Sequence, residues 1–113
     1  MHEFSIALSI VEIVTQNAEM AGASVINEIE IEVGELSGVV LDAMEFAMES
    51  AIKGTLAENA IVVFHFIKGK GQCPVCNMEF DLKNIFDPCP FCGAFNPEVT
   101  QGKELKVKAI NID

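Results

Sequence analysis

Residues 4–20 carry Phe4, Ala7, Leu8, Val11, Val14 and Ala18 at helical spacing, widened by Ile6, Ile10 and Ile13. Glu12, Gln16 and Glu19 occupy the opposite side, so the pattern predicts an amphipathic helix that stops near Gly22. The period then changes. Across residues 25–33, Ile29, Ile31 and Val33 alternate with Glu28, Glu30 and Glu32, which predicts a strand with one buried and one wet face. Gly34-Glu35-Leu36-Ser37-Gly38 reads as a loop, with Ser37 as helix cap. A second helix is predicted over residues 39–53, with Val40, Ala43, Met44, Ala47, Met48 and Ala51 inward and Gly54 beyond its end. Residues 60–67 are almost continuously apolar and predict a central strand. Residues 104–112 alternate again, Leu105, Val107 and Ala109 against Lys106 and Lys108. Glutamates on one alternating strand and lysines on the other would complement each other if the two were neighbours.

Residues 70–100 break every period. Lys68-Gly69-Lys70-Gly71 and Thr100-Gln101-Gly102 bracket them as flexible joints, and the segment holds Pro74, Pro88, Pro90 and Pro97 with all four cysteines. The expected architecture is therefore α+β: a three-stranded sheet packed by two helices, with an inserted four-cysteine, zinc-ribbon-like module. The α+β domain would comprise residues 1–69 plus 101–113, and the metal module residues 70–100.

Composition sharpens this picture. Seventeen acidic residues stand against seven basic ones, all lysine, for a formal charge of −10. Such a chain repels phosphate backbones and anionic membrane surfaces, so neither nucleic acid nor membrane is an expected partner. The apolar run at residues 4–14 follows Glu3 instead of a basic leader, and it is too short to span a bilayer. It reads as a helix of a cytoplasmic protein. No Ser-His-Asp set, phosphate loop or G-x-G-x-x-G is present, so an enzyme is not expected.

Cys73-Pro74-Val75-Cys76 and Cys89-Pro90-Phe91-Cys92 are two C-x-x-C knuckles. Together they supply four soft ligands at the corners of a tetrahedron, the arrangement of structural zinc, with no open position for a reactive water. A segment of about 30 residues cannot build a core that folds alone, so metal would supply much of its stability. Two other chemistries share the spelling: an iron tetrathiolate electron carrier of rubredoxin type, and thiol–disulfide exchange at one knuckle. A zinc-ribbon interaction module without further metal chemistry is a third possibility in kind.

The chain has two histidines. His65 lies inside an apolar strand and reads as a strand residue. His2 sits where the Met1 amine, the His2 backbone nitrogen and the His2 imidazole can close fused rings on one ion, with Glu3 adding its backbone nitrogen or carboxylate. A nitrogen-rich planar set suits Ni(II) or Cu(II), and it strengthens as pH rises because protons must leave.

With these residues in view, the sequence resembles the HypA/HybF family of hydrogenase nickel-incorporation proteins over essentially its whole length. The resemblance rests on Met1-His2-Glu3-Phe4-Ser5-Ile6-Ala7, Gly34-Glu35-Leu36-Ser37-Gly38-Val39, Gly54-Thr55-Leu56-Ala57 and the two knuckles, in that order. It implies a metallochaperone that binds Ni2+ through Met1, His2 and Glu3 and holds Zn2+ on Cys73, Cys76, Cys89 and Cys92. It also implies delivery to the large subunit of [NiFe] hydrogenase together with the GTPase HypB, and in some members a role with urease accessory proteins. Monomer and homodimer both remain open.

Overall fold

A computed structural model describes residues 2–113. Its elements are α1 (Glu3–Met20), β1 (Ile26–Gly34), α2 (Leu41–Ala51), β2 (Ile61–Ile67), β3 (Lys70–Gln72), β4 (Glu79–Asp81), β5 (Glu98–Gln101) and β6 (Leu105–Ile112). The first sheet has the order β2-β1-β6, with β1 parallel to β2 and antiparallel to β6. A parallel pair needs a crossover, and α2 supplies it.

The alternation in β1 decides the layering. Ile29, Ile31 and Val33 are sealed under the helices with Ala7, Val14, Ala18, Met44 and Met48, whereas Glu28, Glu30 and Glu32 keep contact with water. Both helices therefore lie on one face, and the fold has two layers. The rows of opposite charge are neighbours as the sequence suggests: Lys106 on β6 reaches Glu32 on β1 at 3.6 Å. On the other flank of β1, His65 pairs with Glu30 at 2.8 Å.

Three expectations are corrected. The central strand is β1, and the continuously apolar β2 is an edge. A central strand is apolar on both faces only when helices cover both; here one face is wet, so the central strand alternates, and Ile61 on β2 stands 65% exposed. Second, α2 begins at Leu41 with Val40 at its cap and no side-chain cap bond. Ser37 Oγ instead accepts the Val39 amide at 3.3 Å, closing the turn that precedes the helix. Third, the glycine-rich joints are tightly packed. A methyl group on Gly34 would run into the Gly102 carbonyl, one on Gly69 into the Leu82 carbonyl, and one on Gly102 into the Gly69 backbone.

Hydrogen bonds lock this crossing. The Leu36 amide donates to Gly102 O at 2.7 Å, the Leu82 amide to Gly69 O at 2.9 Å, and the Gly69 amide to Glu35 Oε1 at 2.8 Å. Beyond it lies a second sheet of order β4-β3-β5, with a small cluster of its own in which Phe80 and Leu82 pack with Cys73 and Cys89.

Because backbone meets backbone at the crossing, Gly34→Ala should cost about 1–3 kcal/mol. Gly22→Ala, at a left-handed position with open space around it, should cost about 1 kcal/mol through backbone conformation alone. Denaturant midpoints at unchanged m-value check both, and equal losses would refute the crowding argument.

Candidate metal centre

Each knuckle is a tight turn built the same way. The Asn77 amide donates to Cys73 O at 3.0 Å and the Cys73 amide to Met78 O at 3.0 Å; sixteen residues on, Gly93 donates to Cys89 O at 2.9 Å and Cys89 to Ala94 O at 2.8 Å. The residue after the second cysteine must adopt positive φ, which Gly93 does at 77° and Asn77 at 63°. Asparagine tolerates this region better than most side chains. That matched pair was a sequence signal for the turn; only its Gly93 half stands out by eye.

The turns aim amides at sulfur. Val75 and Cys76 both donate to Cys73 Sγ at 3.4 Å, and Phe91 donates to Cys89 Sγ at 3.4 Å. Pro74 and Pro90, which have no N–H to give, sit directly before the amides of Val75 and Phe91 that reach sulfur.

The two knuckles face each other. Cys73 Sγ lies 3.5 Å from Cys92 Sγ, and Cys76 Sγ lies 3.7 Å from Cys89 Sγ. All four sulfurs fall within 4.8 Å of one another. Bonds of about 2.3 Å to a tetrahedral ion put sulfurs about 3.8 Å apart, so one ion fits between them. A disulfide would bring two sulfurs to about 2.05 Å, and the four cysteines are free. Cys73 and Cys89 are buried, Cys76 is half-buried and Cys92 is exposed.

Their protonation alternates. The Cys76 amide, helped by the Val75 amide and the neighbouring thiols, lowers the Cys73 thiol to about 6. At Cys76 the Met78 amide favours the thiolate, but desolvation and the adjacent sulfurs outweigh it and push the group up to about 12. Burial opposes ionisation of Cys89, yet the Cys92 and Phe91 amides with Cys76 bring it below its ordinary value. The Ala94 amide is outweighed at Cys92 by Cys73, desolvation and Cys89, which raise it. Four thiolates cannot share so small a volume until a cation neutralises them.

The other predicted donors lie at the start of α1. His2 is exposed and forms the helix cap, its carbonyl accepting the Ile6 amide at 3.1 Å. Glu3 is half-buried, and its Oε2 accepts the Val40 amide at 3.5 Å, tying the start of α1 to the start of α2. Met1 lies outside the described residues. His65 Nε2 lies in hydrogen-bond contact with Glu30 Oε1 at 2.8 Å on the wet sheet face and joins neither donor group.

Comparison with known proteins decides the family. The family model for hydrogenase/urease nickel incorporation, metallochaperone, hypA matches residues 1–112. The chain belongs to the HypA family. Hydrogenase maturation factor HypA of Parabacteroides distasonis is 50% identical over 112 residues, covering 99% of this chain and 97% of that one. The HypA of Geobacter metallireducens is 42% identical over 113 residues with full coverage of both. The solution structure of the Ni metallochaperone HypA from Helicobacter pylori matches with a TM-score of 0.71 at 24% identity, covering 99% of this chain and 97% of that chain. A second HypA solution structure matches with a TM-score of 0.72 at 23% identity, over 100% and 97%. These two likenesses bear on the fold. HypA proteins are maturation factors of a nickel metallochaperone family, not a family of catalysts. No helix among the described residues is long and apolar enough to cross a membrane.

The alternating protonation of the cysteine cluster sets its proton balance. At pH 8 Cys73, lowered to about 6, has lost its proton, while Cys76, pushed up to about 12, keeps its own. Uptake of a divalent ion should therefore release fewer than four protons, and affinity should rise with pH through this range. Calorimetry in buffers of different ionisation enthalpy measures the number directly.

Proposed function

We propose that this chain carries Ni(II) at its N-terminal end and hands it on during maturation of [NiFe] hydrogenase, while zinc stays on Cys73, Cys76, Cys89 and Cys92. The nickel donors are the Met1 amine, the His2 backbone nitrogen and imidazole, and Glu3. Residues 70–100 act as the zinc-held module, and residues 1–69 with 101–113 as the nickel-carrying half. The protein works in the cytoplasm with the GTPase HypB, toward the hydrogenase large subunit.

The observation that carries this reading is the position of His2 at the cap of α1. Amides in the first turn of a helix have no intrahelical carbonyl to serve. The His2 and Glu3 nitrogens can therefore lose their protons to a metal without breaking the helix. The positive end of the helix dipole favours those deprotonated amides. Exposure of the His2 side chain suits a carrier as well, because a chelate open to water can be dismantled by protonation or by a competing ligand.

For the cysteine site, the fit rests on sulfur spacing, free thiols and a cluster too small to order the segment alone. Zinc bound there would act as a staple, without redox change and without an open coordination position. An iron tetrathiolate would occupy the same spacing, and the oxidised iron form is red whereas the zinc form is colourless.

Titration of untagged protein with nickel, followed by the weak visible band of a planar nitrogen site, tests the proposal. His2→Ala and an N-terminally acetylated or extended chain should lose the band. His65→Gln should keep it, because that ring is committed to Glu30. Retention of full nickel uptake after acetylation would end the reading.

A further inference from the structure

The outer edge of β6 lies beside α1 and forms a long groove. One cavity of about 430 Å³ starts at His2 and runs past Ile6 and Ile10 to Leu105. A second, of about 490 Å³, continues between α1 and β6 to Asn17 and Ile110. Leu105, Ile10 and Ile13 line both, so the two are one channel. Ile13 stands 52% exposed on its wall. From His2 to Asn17 the helix rises about 22 Å, the span of about seven residues of extended chain. No strand pairs with this side of β6 among the described residues.

We propose that this edge receives an extended segment of a partner protein in which apolar and acidic residues alternate, added to the sheet as a fourth strand. The inner edge of β6 already displays the matching pattern. There β1 turns Ile29, Ile31 and Val33 toward the helices and Glu28, Glu30 and Glu32 toward the other face, where Glu32 meets Lys106. An added strand meets the same two environments: the apolar channel on the helix side, and exposed Lys106 on the other, with exposed Lys108 next to it at the bulge between Val107 and Ala109. These lysines stand out in a chain of charge −10, and carboxylates are their complement.

A second copy is a poorer occupant. In the antiparallel register centred on Val107, β6 against another β6 would set Lys106 opposite Lys108, β2 (Ile61–Ile67) carries no carboxylate, and β1, which has the alternating apolar and acidic pattern, is already paired on both edges. Because the channel opens at His2, a strand seated in it brings the partner's adjoining groups to the nickel donors. That last step rests on the nickel-delivery reading; the strand site does not.

Fluorescence anisotropy with the full chain tests the site. The probes are the capped peptide Val-Glu-Ile-Glu-Val-Glu-Val, its Val-Lys-Ile-Lys-Val-Lys-Val counterpart, and the acidic peptide with its central glutamate replaced by proline. The acidic peptide should saturate the protein, and the other two should bind at least about tenfold more weakly. Lys106→Glu with Lys108→Glu should reverse the charge preference while the circular dichroism and the nickel band stay unchanged. Equal binding of acidic and lysine peptides, no saturation, or a dimer in sedimentation that excludes the peptide would overturn the proposal. Loss of His2-dependent nickel uptake with peptide preference intact would remove the delivery reading and leave the strand site standing.

Discussion

The structure depends on a backbone crossing that admits no side chain. Gly34, Gly69 and Gly102 come from three separate stretches, the ends of β1 and β2 and the approach to β6. Each would strike a neighbour's main chain if it carried a methyl group. Through this point pass both connections between the three-stranded sheet and the cysteine segment. Leu36 lies against it and also packs on the small cluster around Phe80 and Leu82. The amide of Gly69 is held by the Glu35 carboxylate. The cysteine tetrad and the three-stranded sheet with its two helices are thus set on the two sides of a short, crowded neck, within a molecule 54 Å long and 24 Å across.

Charge is distributed by the same architecture. The glutamates of β1 face water in a row, a costly arrangement for neighbouring like charges. Lys106 on β6 relieves the row by charge at Glu32, and His65 on β2 contributes a hydrogen-bond contact to Glu30. Further along, Lys68 and Asp81 meet at 2.8 Å where the second sheet begins. Through this contact Lys68 lowers the Asp81 carboxyl and Asp81 raises the lysine, but both groups are more than half exposed, so the pair contributes little to stability.

Much of this was legible before any coordinates. The period-2 run around Ile29–Val33, the helical stripe ending near Ala18 and the paired knuckles all read correctly because each is a local signal; the run Leu105, Val107, Ala109 holds only to Val107, where a bulge puts exposed Ala109 opposite Glu30 and hands the inward place to Ile110. What failed was information that depends on layers. Residues 60–67 look like the centre of a sheet, and only the absence of a second helical layer makes them an edge. Phe4 and Leu8 fit the helical period yet are about half exposed, because the buried line runs through Ala7, Ile10, Val11 and Val14. The glycines at the neck read as slack, since a sequence shows missing side chains but not the chain that fills their space. The bond from the Val40 amide to Glu3 was out of reach as well, because it depends on how two helices far apart in sequence are set side by side.

The cysteine tetrad has an inside and an outside. Cys73 and Cys89, the first members of their knuckles, are sealed against Phe80 and Leu82 and receive the amide donors. Cys76 is half-buried, and Cys92 is the exposed member. A chelator or an oxidant arriving from solution therefore meets that sulfur first, and dismantling of the tetrad starts at its rim while the inner pair still grips.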